Sequence, residues 1–187
     1  AEVGLLMSAV FLGGLVTVAP FGWLADSLSI RYLLLVGQGI VGAFLIAAAV
    51  WSPLPGVLVL LFLSGVGFGV AGPATAKAVI KWFSPAARGT AMSIKQTGVP
   101  IGAAIGAAGL PAAALIVGWR ASLALAGATI IASGVVSYAL CRERPLPLVM
   151  ASTRVTKSLW RAVFLNPRLL LFSATSAIWA GLQTSFA

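Results

Sequence analysis

The 187 residues are 60% hydrophobic and only 8% charged, with twelve Lys and Arg against three acids and a net charge of +9. Soluble domains are about 45–50% apolar and about 25% charged; a soluble fold of this length could not hide so much apolar surface, and a bilayer can. The cations fall in short gaps between apolar runs, where membrane topology places them, and acids only at Glu2, Asp26 and Glu143, a single Cys141 and no histidine exclude an internal disulfide, a Cys- or His-based metal centre and His-dependent catalysis.

A membrane-crossing helix needs about 20 mainly apolar residues. The first stretch that qualifies is 3–24. It has no initiator Met and no charged n-region with a small-residue cleavage site, so it reads as a span and not as a signal peptide. The chain is expected to be cut from a longer protein at both ends. A short polar turn from Asp26 to Arg31 leads to the second span, 32–51, and Ser52-Pro53-Leu54-Pro55 breaks the chain before the third, 56–79. Lys81 to Gly89 holds charges and Pro85, and the fourth span follows at 90–117. Gly118-Trp119-Arg120 is a tight joint with an aromatic suited to the interface, before the fifth span at 121–140. A sixth apolar stretch begins near Leu169 and runs to Ala187. Pro20, Pro73, Pro100 and Pro111 lie inside spans, where neighbouring helices can satisfy the freed backbone groups.

Residues 142–168 form the one long connection. Val155, Leu159, Trp160, Val163 and Phe164 share a helical face there, with Arg154, Lys157 and Arg161 largely opposite. Two readings stand: an amphipathic helix on the inner leaflet, or a solvated basic linker. The expected organisation is therefore a bundle at 1–141, a basic linker at 142–168, and the start of a second half at 169–187. Of the twelve cations, eleven fall on one face of this topology and Arg120 alone on the other. The positive-inside rule makes the basic face cytoplasmic.

Gly4, Met7, Ser8 and Gly13 recur as Gly89, Met92, Ser93 and Gly98, each 85 residues on. In a Gly-rich chain chance can produce such matches. The two copies start at opposite membrane faces, and inverted repeats are a mark of many secondary transporters.

The run Gly22-Trp23-Leu24-Ala25-Asp26-Ser27-Leu28-Ser29-Ile30-Arg31 resembles the signature between helices two and three of the major facilitator superfamily, Gly-x-Leu-Ala-Asp-x-x-Gly-Arg-Arg. Gly22, Leu24, Ala25, Asp26 and Arg31 match; Ser29 and Ile30 depart from it. Gly65-Val66-Gly67-Phe68-Gly69 with Pro73, then Lys81-Trp82-Phe83-Ser84-Pro85 and Arg88-Gly89, is similar to the fourth helix and following loop of the family's organic-anion branch. That branch usually carries an Arg where this chain has Leu61 and often a Glu where it has Phe68. The resemblance implies an all-α polytopic transmembrane bundle of about six spans, corresponding to helices two to seven of twelve. Helix one and nearly all of the C-terminal half would be further parts of the same protein. It also implies that the turn at Gly22, Asp26 and Arg31 acts as a gate, where the bland alternative is an exposed turn obeying the charge rule.

Lys95 sits inside the fourth span, followed by Gln96, Thr97, Gly98 and Pro100. It can snorkel to the interface with no function. Alternatively Lys95, Gln96 and Thr97 form a substrate-binding patch for an anion. Gly89, Gly98, Gly102 and Gly106 follow the spacing of the family's antiporter motif, with Ala103 and Ala107 replacing its proline and last glycine. Gly98, Gly102 and Gly106, like Gly65 and Gly69, also suit plain helix packing. Gln38 and Gln183 read as interhelical hydrogen-bonding amides.

The sequence thus points to a permease of the inner or plasma membrane that moves a small solute by alternating access coupled to an ion gradient, an organic anion being the class the resemblance suggests. Its partners would be the solute and the bilayer, with no cofactor, no metal and no nucleic acid. The rival reading is a non-transporting polytopic protein, either a membrane-embedded enzyme or a scaffold subunit. An intramembrane enzyme should show buried carboxylates, His or a Ser/Lys pair, and here only Lys95 and scattered serines are available.

Overall fold

A computed structural model describes residues 2–51 and 53–141, together with Pro167, Leu171 and Thr175. The chain divides into two compact units, Ala1–Pro145 and Leu146–Ala187. The first holds five helices: α1 (Glu2–Ser27), α2 (Ile30–Val50), α3 (Leu54–Trp82), α4 (Arg88–Val117) and α5 (Trp119–Leu140). A single 3-10 turn, Pro85–Ala87, precedes α4. All five helices are long and apolar enough to cross a membrane. The fold is all-α, with no strand among the described residues. The expected amphipathic helix in 142–168, the sixth span and Gln183 lie outside the described residues.

The helices start one or two residues before the apolar runs; α1 and α3 also run three residues past them, whereas α2 stops one residue short, at Val50. The largest change is at the first joint, where a six-residue polar turn from Asp26 to Arg31 was expected. Here α1 continues through Asp26 and α2 already includes Arg31, so the non-helical link is only Leu28 and Ser29. Ser29 takes an extended conformation at the N-cap, and the Leu33 amide donates to its carbonyl at 3.1 Å, which starts α2 at once. Pro53 precedes α3 and Pro55 sits in its first turn, where a missing N–H costs nothing.

Helix α1 packs on α3, α3 on α2, and α2 on α5, while α4 leans mainly on α5. Backbones approach closely at these seams. A Cβ at Gly65 would meet the Val10 carbonyl, and one at Gly69 would meet Thr17 and Gly14; Gly42 and Gly127 each face the other's carbonyl across α2 and α5. In lipid no hydrophobic force drives helices together, so close van der Waals contact through small residues has to do it. Interhelical hydrogen bonds add to this. The Thr17 hydroxyl donates to the Gly13 carbonyl of its own helix at 2.8 Å and also lies 3.2 Å from the Val66 carbonyl of α3, and the Ser133 hydroxyl donates to Gln38 Oε1 at 2.7 Å. The Ser133 bond is an α2–α5 bridge of the kind expected for Gln38, worth about 0.6 kcal/mol in a membrane.

The buried apolar cluster is small. Ile30, Leu33 and Leu34 of α2 meet Val70, Ala74 and Ala78 of α3, with Phe21 of α1 packed against them. It lies toward the end where α1 hands over to α2, so the packing that holds the unit together also supports the Leu28–Ser29 link. Outward-facing side chains are largely apolar: Leu115 is 90% exposed, Ile116 84% and Val50 78%. Water would penalise such a surface, and hydrocarbon does not.

Candidate functional site

Five antiparallel helices bring the end of α1, the start of α2, the end of α3, the start of α4 and the end of α5 to one face of the unit. Arg31, Lys77, Lys81 and Arg88 gather there, with Lys95 further along α4, and Arg120 stands at the opposite end. This basic end is the candidate site.

Its centre is the Leu28–Ser29 link. Gly22 and Asp26 lie on the closing turns of α1, one turn apart, and Arg31 is the second residue of α2. From α3, the Lys77 ammonium donates to the Leu28 carbonyl at 3.0 Å. A cation there meets carbonyls that α1 leaves unsatisfied, at the negative end of its dipole. The bond ties α3 to a link that would otherwise hang from α1 and α2 alone. Arg31 lies over two aromatic rings, with its guanidinium carbon 5.1 Å from the Tyr32 centroid and 5.3 Å from that of Tyr138 on α5. Arg88 closes the next joint: its Nη2 donates to the Ile80 carbonyl at 3.1 Å and its Nε to that of Phe83 at 3.4 Å. It thereby caps α3, and this cation complements the helix dipole.

Lys95, Gln96 and Thr97 lie on α4, Lys95 half-buried and the other two exposed. Successive helical residues are separated by about 100°, so these three do not converge on one point within α4 alone. The Thr97 hydroxyl donates to the Ser93 carbonyl at 2.9 Å, which occupies its proton within the helix. Gly98, Gly102 and Gly106 have open space beyond the position a Cβ would take, among the described residues, and α4 contributes no buried residue.

A groove of about 690 Å³ runs between α1 and α3, lined by Phe11, Leu12, Leu15 and Val18 on one side and Phe68, Gly69 and Gly72 on the other. Ser8 is its one hydroxyl, and none of its lining residues is charged. Phe68, where the organic-anion branch often carries Glu, contributes to this apolar wall. No group of three or more potential metal ligands occurs among the described residues.

Two residues of the basic end were not legible as site residues. Lys77 counted in the sequence only as one of many topology charges, and Tyr138 carried no motif. The available signal for Tyr138 was that the chain has only two tyrosines, each close to a helix end on the basic side. Nothing in one-dimensional spacing says that the two meet.

The chain matches the sequence model described as Major Facilitator Superfamily over residues 1–187. It is similar to an uncharacterised MFS-type transporter of Mycobacterium tuberculosis, 38% identical over 111 residues that cover 59% of this chain and 25% of that protein. A 3-(3-hydroxy-phenyl)propionate transporter of Escherichia coli is 34% identical over 106 residues, 57% of this chain and 26% of that protein. A hexuronate transporter of Bacillus subtilis is 25% identical over 189 aligned positions, 92% of this chain and 42% of that protein. The chain therefore spans between 25% and 42% of the length of these relatives.

Proposed function

The chain belongs to the major facilitator superfamily, and from that premise we propose that it is most of the N-terminal half of a permease that moves a small organic anion by alternating access. Family membership makes it a multi-pass membrane protein and not an enzyme. The proposal adds the solute class, coupling to an ion gradient, residence in the inner or plasma membrane, and the gating role of the turn at Gly22, Asp26 and Arg31.

The observation that carries the gating role is the Lys77 bond to the Leu28 carbonyl. A link of two residues between two spanning helices, tied by a cation from a third, moves as part of the rigid half. Rocking of two such halves about a central cavity is how transporters of this kind alternate access. A rigid basic turn at the mouth can then make or break contacts with the other half. Two relatives are named for carboxylate solutes, which supports an anion and agrees with an excess of cations over acids.

The test uses the full-length protein in membrane vesicles, with uptake measured for 3-(3-hydroxyphenyl)propionate, a hexuronate and an uncharged sugar. The wild type should carry at least one of the anions and not the neutral sugar. Asp26→Asn should lower that uptake about tenfold at normal expression, the loss expected when one charge-assisted contact of about 1.5 kcal/mol is removed. Uptake of the neutral sugar alone would reject the anion, and full uptake by Asp26→Asn would reduce the turn to a topology signal.

A further inference from the structure

The only two tyrosines of the chain meet at the basic end. Tyr32 comes from the first turn of α2 and Tyr138 from the last turn of α5. Their ring centroids are 5.3 Å apart at an interplanar angle of 58°, a tilted arrangement that ring quadrupoles favour. The Tyr138 hydroxyl donates to that of Tyr32 at 3.3 Å. The Arg31 guanidinium lies within the roughly 6 Å over which a ring face attracts a cation, and it does so for both rings.

The two contacts differ in what they depend on. Tyr32 is the next residue after Arg31, so that contact forms within α2 itself and needs no second helix. Tyr138 is far away in the chain and reaches Arg31 only because α5 is keyed to α2. That keying runs along the seam: Gly42 against Gly127 in the middle, then the Ser133–Gln38 hydrogen bond, then Gly134 against the Gln38 side chain. Each step lies nearer the basic end than the one before, and Tyr138 comes next, one helical turn beyond Gly134. An arginine near a helix start has many rotamers, and a ring held on a fixed neighbouring helix removes most of them.

We infer that Tyr138 is a positioning residue that braces Arg31 against α5 and so fixes where the cation of the turn stands. This rests on the gating reading of that turn. The bland alternative is a tyrosine anchoring α5 at the membrane interface, where tyrosines are common. The two differ in a measurable way. An anchor acts on α5 equally whatever stands at position 31, whereas a brace loses much of its effect once Arg31 is gone and keeps only the contact with Tyr32. A brace through the ring face also needs the ring and not the hydroxyl.

The experiment is a double-mutant cycle in the full-length protein with Tyr138→Phe, Tyr138→Leu, Arg31→Leu and the Tyr138→Leu/Arg31→Leu pair. Tyr138→Met replaces Tyr138→Leu if the latter does not insert. Two readouts are taken: thermal unfolding in detergent, and the rate at which N-ethylmaleimide modifies a single cysteine placed at Leu28 in an otherwise cysteine-free background. Leu28 is exposed at the link and reports its packing. The expected result is that Tyr138→Leu lowers the unfolding temperature and speeds labelling about two- to fivefold. Tyr138→Phe, which loses only the 3.3 Å hydroxyl contact with Tyr32, should change both far less than Tyr138→Leu, and Tyr138→Leu should cost clearly less once Arg31→Leu is present, the remainder being its ring contact with Tyr32. Equal effects of Tyr138→Leu with and without Arg31, or a Tyr138→Phe as damaging as Tyr138→Leu, would overturn the brace. Coupling in unfolding temperature with a labelling rate indifferent to Arg31→Leu would support the brace and defeat the gating reading instead.

Discussion

Lys95 is the one charged residue of α4 beyond its first turn. The sequence places the start of its span near Thr90, which puts Lys95 a turn or so from the interface. In the structure α4 begins two residues earlier, at Arg88, which lengthens the helix outward and leaves the distance of Lys95 from the interface as it was. Snorkelling stays within reach of its long stem. If the proposed solute is an anion, Lys95 is the member of the patch that would hold it, since the three side chains are spread around α4 and the Thr97 proton is bound to Ser93. In the full-length protein Lys95→Gln should then raise the apparent KM for the transported anion about tenfold or more, the cost of a lost charge-assisted hydrogen bond. Lys95→Arg should recover only part, because a planar fork does not replace a compact ammonium. Uptake kinetics of the three variants decide it: equal KM values would mean a snorkelling lysine and leave the solute contacts to be found elsewhere.

At the level of elements, the joint between α4 and α5 is the most demanding. A single residue, Gly118, separates them, at φ +83° and ψ 156°, a region reached essentially by glycine alone. Its amide still donates to the Ala114 carbonyl, and its carbonyl accepts from the Ser122 amide, so α4 ends and α5 begins on the same residue. A side chain there is strained although space for a Cβ is open. Gly118→Ala should destabilise the protein by about 1–3 kcal/mol, read as a lower unfolding temperature in detergent. By contrast Ala121→Gly, in the first turn of α5, should cost only about 1 kcal/mol or less. A Gly118→Ala variant as stable as wild type would show that the joint relaxes to an ordinary turn. The glycines inside the spans divide differently. Gly65 and Gly69 are pressed against α1, whereas Gly98, Gly102 and Gly106 leave α4 smooth and open within this unit. The same residue spacing therefore serves two different situations.

For the whole molecule, the question is which way the bundle sits in the membrane. The basic end gathers Arg31, Lys77, Lys81 and Arg88, and the far end holds Arg120 beside Trp119. By the positive-inside rule the basic end is expected in the cytoplasm. Cys141 follows α5 on that side and is partly exposed. In a full-length protein with any other cysteines replaced, a membrane-impermeant maleimide should leave Cys141 unmodified in intact cells and label it in inside-out vesicles. Rapid labelling from outside the cell would invert the whole assignment, and with it the side on which the Asp26 turn could gate.

Membrane residence, the number and approximate limits of the first five helices, and the family could be read from the chain alone. They follow from one-dimensional quantities: lengths of apolar runs, the side on which cations fall, and a ten-residue motif at Gly22–Arg31. The first link is shorter than its run of polar residues suggests, because polarity marks where a span leaves hydrocarbon, not where backbone hydrogen bonding stops, and α1 carries its helix through Asp26. What the tertiary structure alone decided is which residues share a place. Lys77 reaches Leu28 because α3 lies against α1, and Tyr138 reaches Arg31 because α2 and α5 are keyed by Gly42 and Gly127. In a sequence that is apolar almost throughout, hydrophobic patterning does not tell a lipid-facing side from a protein-facing one. Small residues mark possible seams, and only the fit of one backbone against another selects those that close.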